Sequence, residues 1–107
     1  MREIKILPTT TLAVGANQTF ELSLPDFQTV SRMDLYVRVM GGDGTISTVQ
    51  MQPKTEDGDI MYGYTTFTNS GATQARFLDA PAAPTVVVKL NVATDSADVM
   101  IVAVVYD

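Results

Sequence analysis

Residues 33–39 read MDLYVRV, and this stretch decides the fold class. Its odd positions are apolar, and its even positions are polar or amphipathic. That two-residue period is typical of a β-strand with one buried face. The GGDG that follows at residues 41–44 permits positive φ and predicts a tight hairpin connection into a return strand at residues 45–52.

The same period recurs along the chain between turn-forming segments. Further strands are predicted at residues 19–24, 60–68, 73–78, 86–92 and 99–106. Turns are predicted at residues 54–59, 69–71 and 95–98, and a rigid proline-containing connector at residues 80–84. No segment shows a helical stripe, although one helical turn fits residues 26–31. We therefore predict one all-β domain over residues 1–107, an antiparallel, jelly-roll-like β-sandwich of seven to eight strands.

The residue types present argue against catalysis. The chain of 107 residues has no histidine, the commonest general base, and no cysteine to act as a nucleophile or metal ligand. Ser70 lacks the Gly-x-Ser-x-Gly turn of a nucleophilic serine. The glycines at 41–44 join two predicted strands and so offer no helix N-terminus to a phosphate. We predict no enzyme activity and no cofactor.

One local cluster of acids remains, made of Glu56, Asp57 and Asp59. In an exposed turn, water keeps such carboxylates ionised and equivalent, which is poor ground for acid–base work. The leading interpretation is a solvated turn. A weak metal site with oxygen ligands and a catalytic carboxylate pair are the alternatives.

Charge and hydropathy limit the partners. Seven basic residues against twelve acidic ones give a net charge of −5, and the basic residues are scattered in sequence. Nucleic-acid binding needs clustered Lys and Arg, so no nucleic-acid partner is predicted. The longest apolar run, residues 99–106, is far short of the roughly 20 residues of a membrane helix. Pro8 interrupts the N-terminal apolar run, so we predict no signal peptide, no membrane partner and synthesis in the cytoplasm.

The last predicted strand is apolar on both faces. One face carries Val99, Ile101, Ala103 and Val105, and the other carries Met100, Val102, Val104 and Tyr106. Such a run favours a central strand whose second face is covered by the N-terminal segment. The alternative is that Met100, Val102, Val104 and Tyr106 form an interface with another subunit.

Three tyrosines form the other candidate site. Tyr62 and Tyr64 share a face of one predicted strand, and Tyr36 lies on another. Cross-strand aromatic pairs that stabilise a sheet are the leading interpretation. A platform on which a sugar ring stacks is the alternative.

A specific block of sequence covers residues 49–106. It contains VQMQPKTEDGD at 49–59, TNSGA at 68–72, RFLDAP at 76–81 and VVVKLNV at 86–92. Their order resembles small β-sandwich virion proteins of tailed bacteriophages. In that family a serine usually precedes the acidic pair and a tryptophan follows it, whereas this chain has Pro53 and Lys54 before it and Met61 and Tyr62 after it.

The resemblance implies a capsid decoration (cementing) protein located in the virion. It would bind the head lattice as a homo-oligomer, with a trimer among the forms that fit, and its partner would be the major capsid protein or another virion component. The resemblance implies no catalytic residue. The alternative function, suggested by the tyrosines, is a non-catalytic carbohydrate-binding β-sandwich module.

Overall fold

A computed structural model describes residues 1–60 and 65–107, except for the side chains of 65–72. The described residues form eight strands and a single 3-10 turn at Phe27–Thr29. The strands are β1 (Arg2–Leu12), β2 (Gly15–Ser23), β3 (Arg32–Gly42), β4 (Thr45–Lys54), β5 (Thr65–Ala72), β6 (Gln74–Ala80), β7 (Thr85–Ala93) and β8 (Ala97–Tyr106).

The strands form two four-stranded sheets. The front sheet has the order β1-β8-β3-β6, and the back sheet has the order β2-β7-β4-β5. All the pairings are antiparallel. Strand one pairs with eight, two with seven, three with six and four with five, as in a long hairpin folded over on itself. This is the order of a jelly roll, so the predicted antiparallel, jelly-roll-like sandwich is confirmed.

The core lies between the sheets and follows the strand alternation. On β3 and β8, the odd-numbered apolar side chains point inward, and Leu35, Val37 and Ile101 are completely buried. The back sheet supplies Ile46, Val49, Met51, Val86, Val88 and Leu90, each no more than 1% exposed. Burial of this apolar surface is the main force that holds the two sheets together.

Strand β1 is the element that the sequence pattern did not predict. Pro8 and the threonines after it break the alternation, and β1 absorbs that break with register shifts between Lys5 and Leu7 and between Leu7 and Thr10. Because β1 is an edge strand, Pro8 can lack a backbone donor without costing the sheet a hydrogen bond. The one-turn helix expected near residues 26–31 is present as the 3-10 turn.

Two connections differ from the prediction. The GGDG segment is not a hairpin, because β3 belongs to the front sheet and β4 to the back sheet. The segment crosses between the layers and passes the β7–β8 turn, where the Gly44 amide donates to the Ser96 carbonyl at 3.0 Å. Residues 69–71, predicted as a turn, lie within β5.

Candidate binding surface

The outward face of β8 lies in the middle of the front sheet. Val102 on this face is only 6% exposed, and Met100, Val104 and Tyr106 are half-buried. The register sets Val102 between Lys5 of β1 and Tyr36 of β3, so side chains of the neighbouring strands provide the cover. The expectation that the N-terminal segment covers this face is therefore wrong, because β1 lies beside β8 in the same sheet.

A shallow groove of about 340 Å³ runs over this face. We call it the front groove; it is lined by Glu3, Tyr36, Arg38, Gln74, Arg76, Met100, Val102 and Val104. Three residues of the predicted interface and one of the predicted tyrosine platform thus share one surface. The groove has an apolar floor from β8 and a polar rim from β1, β3 and β6, the usual build of a site for a ligand or for a protein segment.

Two arginines dominate the electrostatics of the front groove. Tyr36 pairs with Arg76, and Arg38 pairs with Gln74, so the two arginines are diagonal neighbours across β3 and β6. Both side chains are exposed, and neither makes an ion pair within the part of the chain that the structure describes. Two neighbouring guanidinium groups favour the binding of a planar anion such as a carboxylate.

Tyr106, the fourth predicted interface residue, lies outside the front groove. The Arg32 guanidinium stacks over its ring at 4.1 Å from the ring centroid. Arg32 also pairs with Asp79, with 3.2 Å between Nη1 and Oδ1. The Tyr106 side chain, followed by the carboxylates of Asp34 and Asp79, raises the pKa of Arg32 above its ordinary value. At this end of the face, Arg32 therefore already contacts both Tyr106 and Asp79 within the same chain.

Asp34 lies at the same end of the sheet, on the outward face of β3 opposite Val104. Strand β6 has a β-bulge here, in which the two residues Leu78 and Asp79 lie opposite the single residue Asp34 of β3. Within the bulge, Asp79 has a φ of 55°. The Asp34 side chain, only 6% exposed, accepts a 3.0 Å hydrogen bond from the Asp79 amide. The carboxylate therefore fixes the bulge that ends β6 beside the front groove.

Removing this carboxylate should loosen the bulge. We expect Asp34→Ala to lower the free energy of unfolding by about 1 kcal/mol, the usual contribution of one hydrogen bond, because the Asp79 amide is only partly buried. Asp34→Asn retains an acceptor oxygen and should cost clearly less. Urea denaturation of the two variants measures the difference. Equal losses would show that the hydrogen bond to Asp79 does not matter for stability.

The other predicted site residues are not brought into this surface. Tyr62 and Tyr64 lie outside the described residues, so the three-tyrosine platform stays a prediction. Glu56, Asp57 and Asp59 are exposed in the turn after β4. Within residues 1–60 and 65–107, no three acidic side chains converge closely enough to hold a metal ion.

The arginines of the front groove were not predicted from the sequence. Arg38 and Arg76 are 38 positions apart, and only the β3–β6 register makes them neighbours. The strand alternation could have placed both side chains on the outward face of the sheet. Arg38 occupies an outward position in the alternation at residues 33–39, and Arg76 lies between the inward residues Ala75 and Phe77.

Comparison with protein-family models finds no match, and a search of curated proteins finds no significant relative. Among the described residues, no helix has the length and apolar character needed to cross a membrane.

Proposed function

We propose that this chain is a non-catalytic structural protein of a bacteriophage virion, a capsid decoration protein that binds the head lattice as a homo-oligomer. The virion class rests on the resemblance of residues 49–106 to phage β-sandwich proteins. The partner is the major capsid protein or another component of the head.

The front groove is the observation that carries the binding role. It combines an apolar floor of Met100, Val102 and Val104 with Arg38 and Arg76, which make no ion pair among the described residues. Its residues come from paired strands of a sheet, so their backbone is already ordered before a partner binds. A homo-oligomer that assembles through this groove presents several copies of the chain to the lattice at once, which gives strong attachment through avidity.

The test is the protein content of purified particles. Particles from the host that carries this gene are banded on a density gradient, and their proteins are quantified by mass spectrometry. We expect this chain at a fixed copy number relative to the major capsid protein. Its absence from intact particles would overturn the virion assignment.

The second candidate, a carbohydrate-binding module, is favoured by one local feature. Tyr36 lies in the front groove next to Arg38, Gln74 and Arg76, so a ring that stacks on the tyrosine meets hydrogen-bonding side chains at its edge. A glycan array tests this function, with Tyr36→Ala as the variant that should lose any signal. An array without binding, or binding unchanged in Tyr36→Ala, excludes it.

A further inference from the structure

We infer that the front groove of one copy binds the acidic turn of a second copy, where the acidic turn means Glu56, Asp57 and Asp59. This contact links successive copies head to tail. The inference rests on the homo-oligomer of the proposed function and names the surfaces that form it.

The charge of the front groove determines what occupies it. Arg38 and Arg76 line it with Glu3 as the one acid among the lining residues. On the same face, Lys5 stands beside Val102, and Asp34, which accepts a hydrogen bond from the Asp79 amide, stands beside Val104. Two copies stacked groove to groove would bring four arginines together against two glutamates. The groove therefore fits a different, negatively charged surface, and each arginine offers a two-pronged donor to a carboxylate.

The acidic turn has the complementary charge. Its three carboxylates are exposed and make no ion pair among the described residues. Backbone hydrogen bonds hold the turn in shape: the Thr55 amide donates to the Asp59 carbonyl at 2.8 Å, and the Gly58 amide to the Thr55 carbonyl at 3.0 Å. The turn is thus ordered before it binds, which lowers the entropic cost of docking.

Apolar surface accompanies the charges on both sides. Phe27 and Pro84 line a second shallow cavity of about 300 Å³ together with Glu56 and Asp57. In the front groove, the floor of Met100, Val102 and Val104 is equally apolar. A contact between the two surfaces would bury apolar area around its ion pairs, which strengthens those pairs by excluding water.

The positions of the two surfaces make the contact heterologous. The front groove lies on the outer face of the front sheet, and the acidic turn follows β4 in the back sheet. No ion pair joins them within the described part of one copy. An interface between different surfaces of identical chains forms a ring when the rotation between copies closes.

Reciprocal charge reversal tests the contact. One variant combines Arg38→Glu with Arg76→Glu, a second combines Glu56→Lys with Asp57→Lys, and a third carries all four changes. Glu21→Lys, on the outward face of the back sheet, is the control reversal. Light scattering after size exclusion gives each mass, and circular dichroism confirms that each variant folds.

We expect the wild-type chain and the Glu21→Lys control to have the same multiple of the 11.6 kDa chain mass. The groove variant and the turn variant should each run as single chains. The four-change variant should recover the wild-type mass, because each reversed groove again meets a turn of opposite charge.

Three results would overturn the inference: a monomeric wild-type chain, a single-surface variant that keeps its oligomeric mass, or a four-change variant that stays monomeric. Its failure is separable from that of the proposed function. Charge-dependent oligomers combined with absence from particles would remove only the virion role. Presence on particles combined with a monomeric wild-type chain would remove the contact and the homo-oligomer, and would leave the virion role standing.

Discussion

Replacing Gly44 with alanine is expected to lower the free energy of unfolding by about 3 kcal/mol or more, since overpacking against rigid neighbours is costly. A Cβ at this position would lie 2.0 Å from the Asp95 carbonyl oxygen and 2.8 Å from the Ser96 carbonyl carbon. These are backbone atoms of the β7–β8 turn, so no side-chain rotation relieves the clash. Chemical denaturation measures the loss.

Gly15→Ala is the matched control. Its Cβ would meet first the Gln18 side-chain nitrogen, at 3.3 Å, so a shift of a few tenths of an ångström in that side chain relieves the contact, at most at the expense of its hydrogen bonds to the Ala13 and Gly15 carbonyls. We expect a loss of less than about 1 kcal/mol there, as for most surface changes. If Gly44→Ala were equally mild, the crossing from β3 to β4 would not pass against the β7–β8 turn, and the account of how the two sheets connect would be wrong.

Replacing Ile101 with alanine is expected to cost about 2–5 kcal/mol, the range for emptying a large apolar site in a core. Ile101 is completely buried on the inward face of β8, between Leu7 on β1 and Val37 on β3. The cavity left behind lies between the sheets, where the backbone on either side is fixed by paired strands. Thermal and urea denaturation should both show the loss.

Met100→Ala, one position earlier, separates the two faces of β8. Met100 is half-buried on the outward face, so its truncation should cost only about 1 kcal/mol, in proportion to the smaller apolar area removed from water. Comparable losses at Met100 and Ile101 would contradict the assignment of one face to the core and the other to the front groove.

The strand pattern of the core was predictable because alternation is a local property. Residues 33–39 and 99–106 carry their inward and outward sets in the sequence itself, and both became strands of the front sheet. Strand β1 was not predicted, because Pro8 interrupts its alternation of apolar and polar residues. A bulged edge strand keeps its pairing with the neighbouring strand even where that alternation is lost.

The path between the sheets could not be predicted in the same way. The GGDG segment has the residues of a tight turn, and a tight turn joins strands within one sheet or in two. The choice between these two connections depends on the packing of Gly44 against Asp95 and Ser96, which belong to a turn about 50 positions later in the chain. Tertiary contacts of this kind leave no mark on local periodicity.

The candidate site was predictable in part. Met100, Val102 and Val104 were identified from the two apolar faces of β8, and they form the floor of the front groove. Arg38 and Arg76 were not identified, because their proximity depends on the β3–β6 register. A rim assembled from separate strands becomes visible only when the sheet order is known.

Retention of the chain on purified particles shows whether the front groove takes part in assembly of the virion. The wild-type chain and the Arg38→Glu, Arg76→Glu variant, each shown to be folded, are supplied in turn to cells that produce particles from a phage genome lacking the gene. We predict that banded particles carry the wild-type chain at a fixed copy number and lose most of the variant. Particles that lack the wild-type chain, or that keep the variant at the wild-type level, would contradict an assembly role for the front groove.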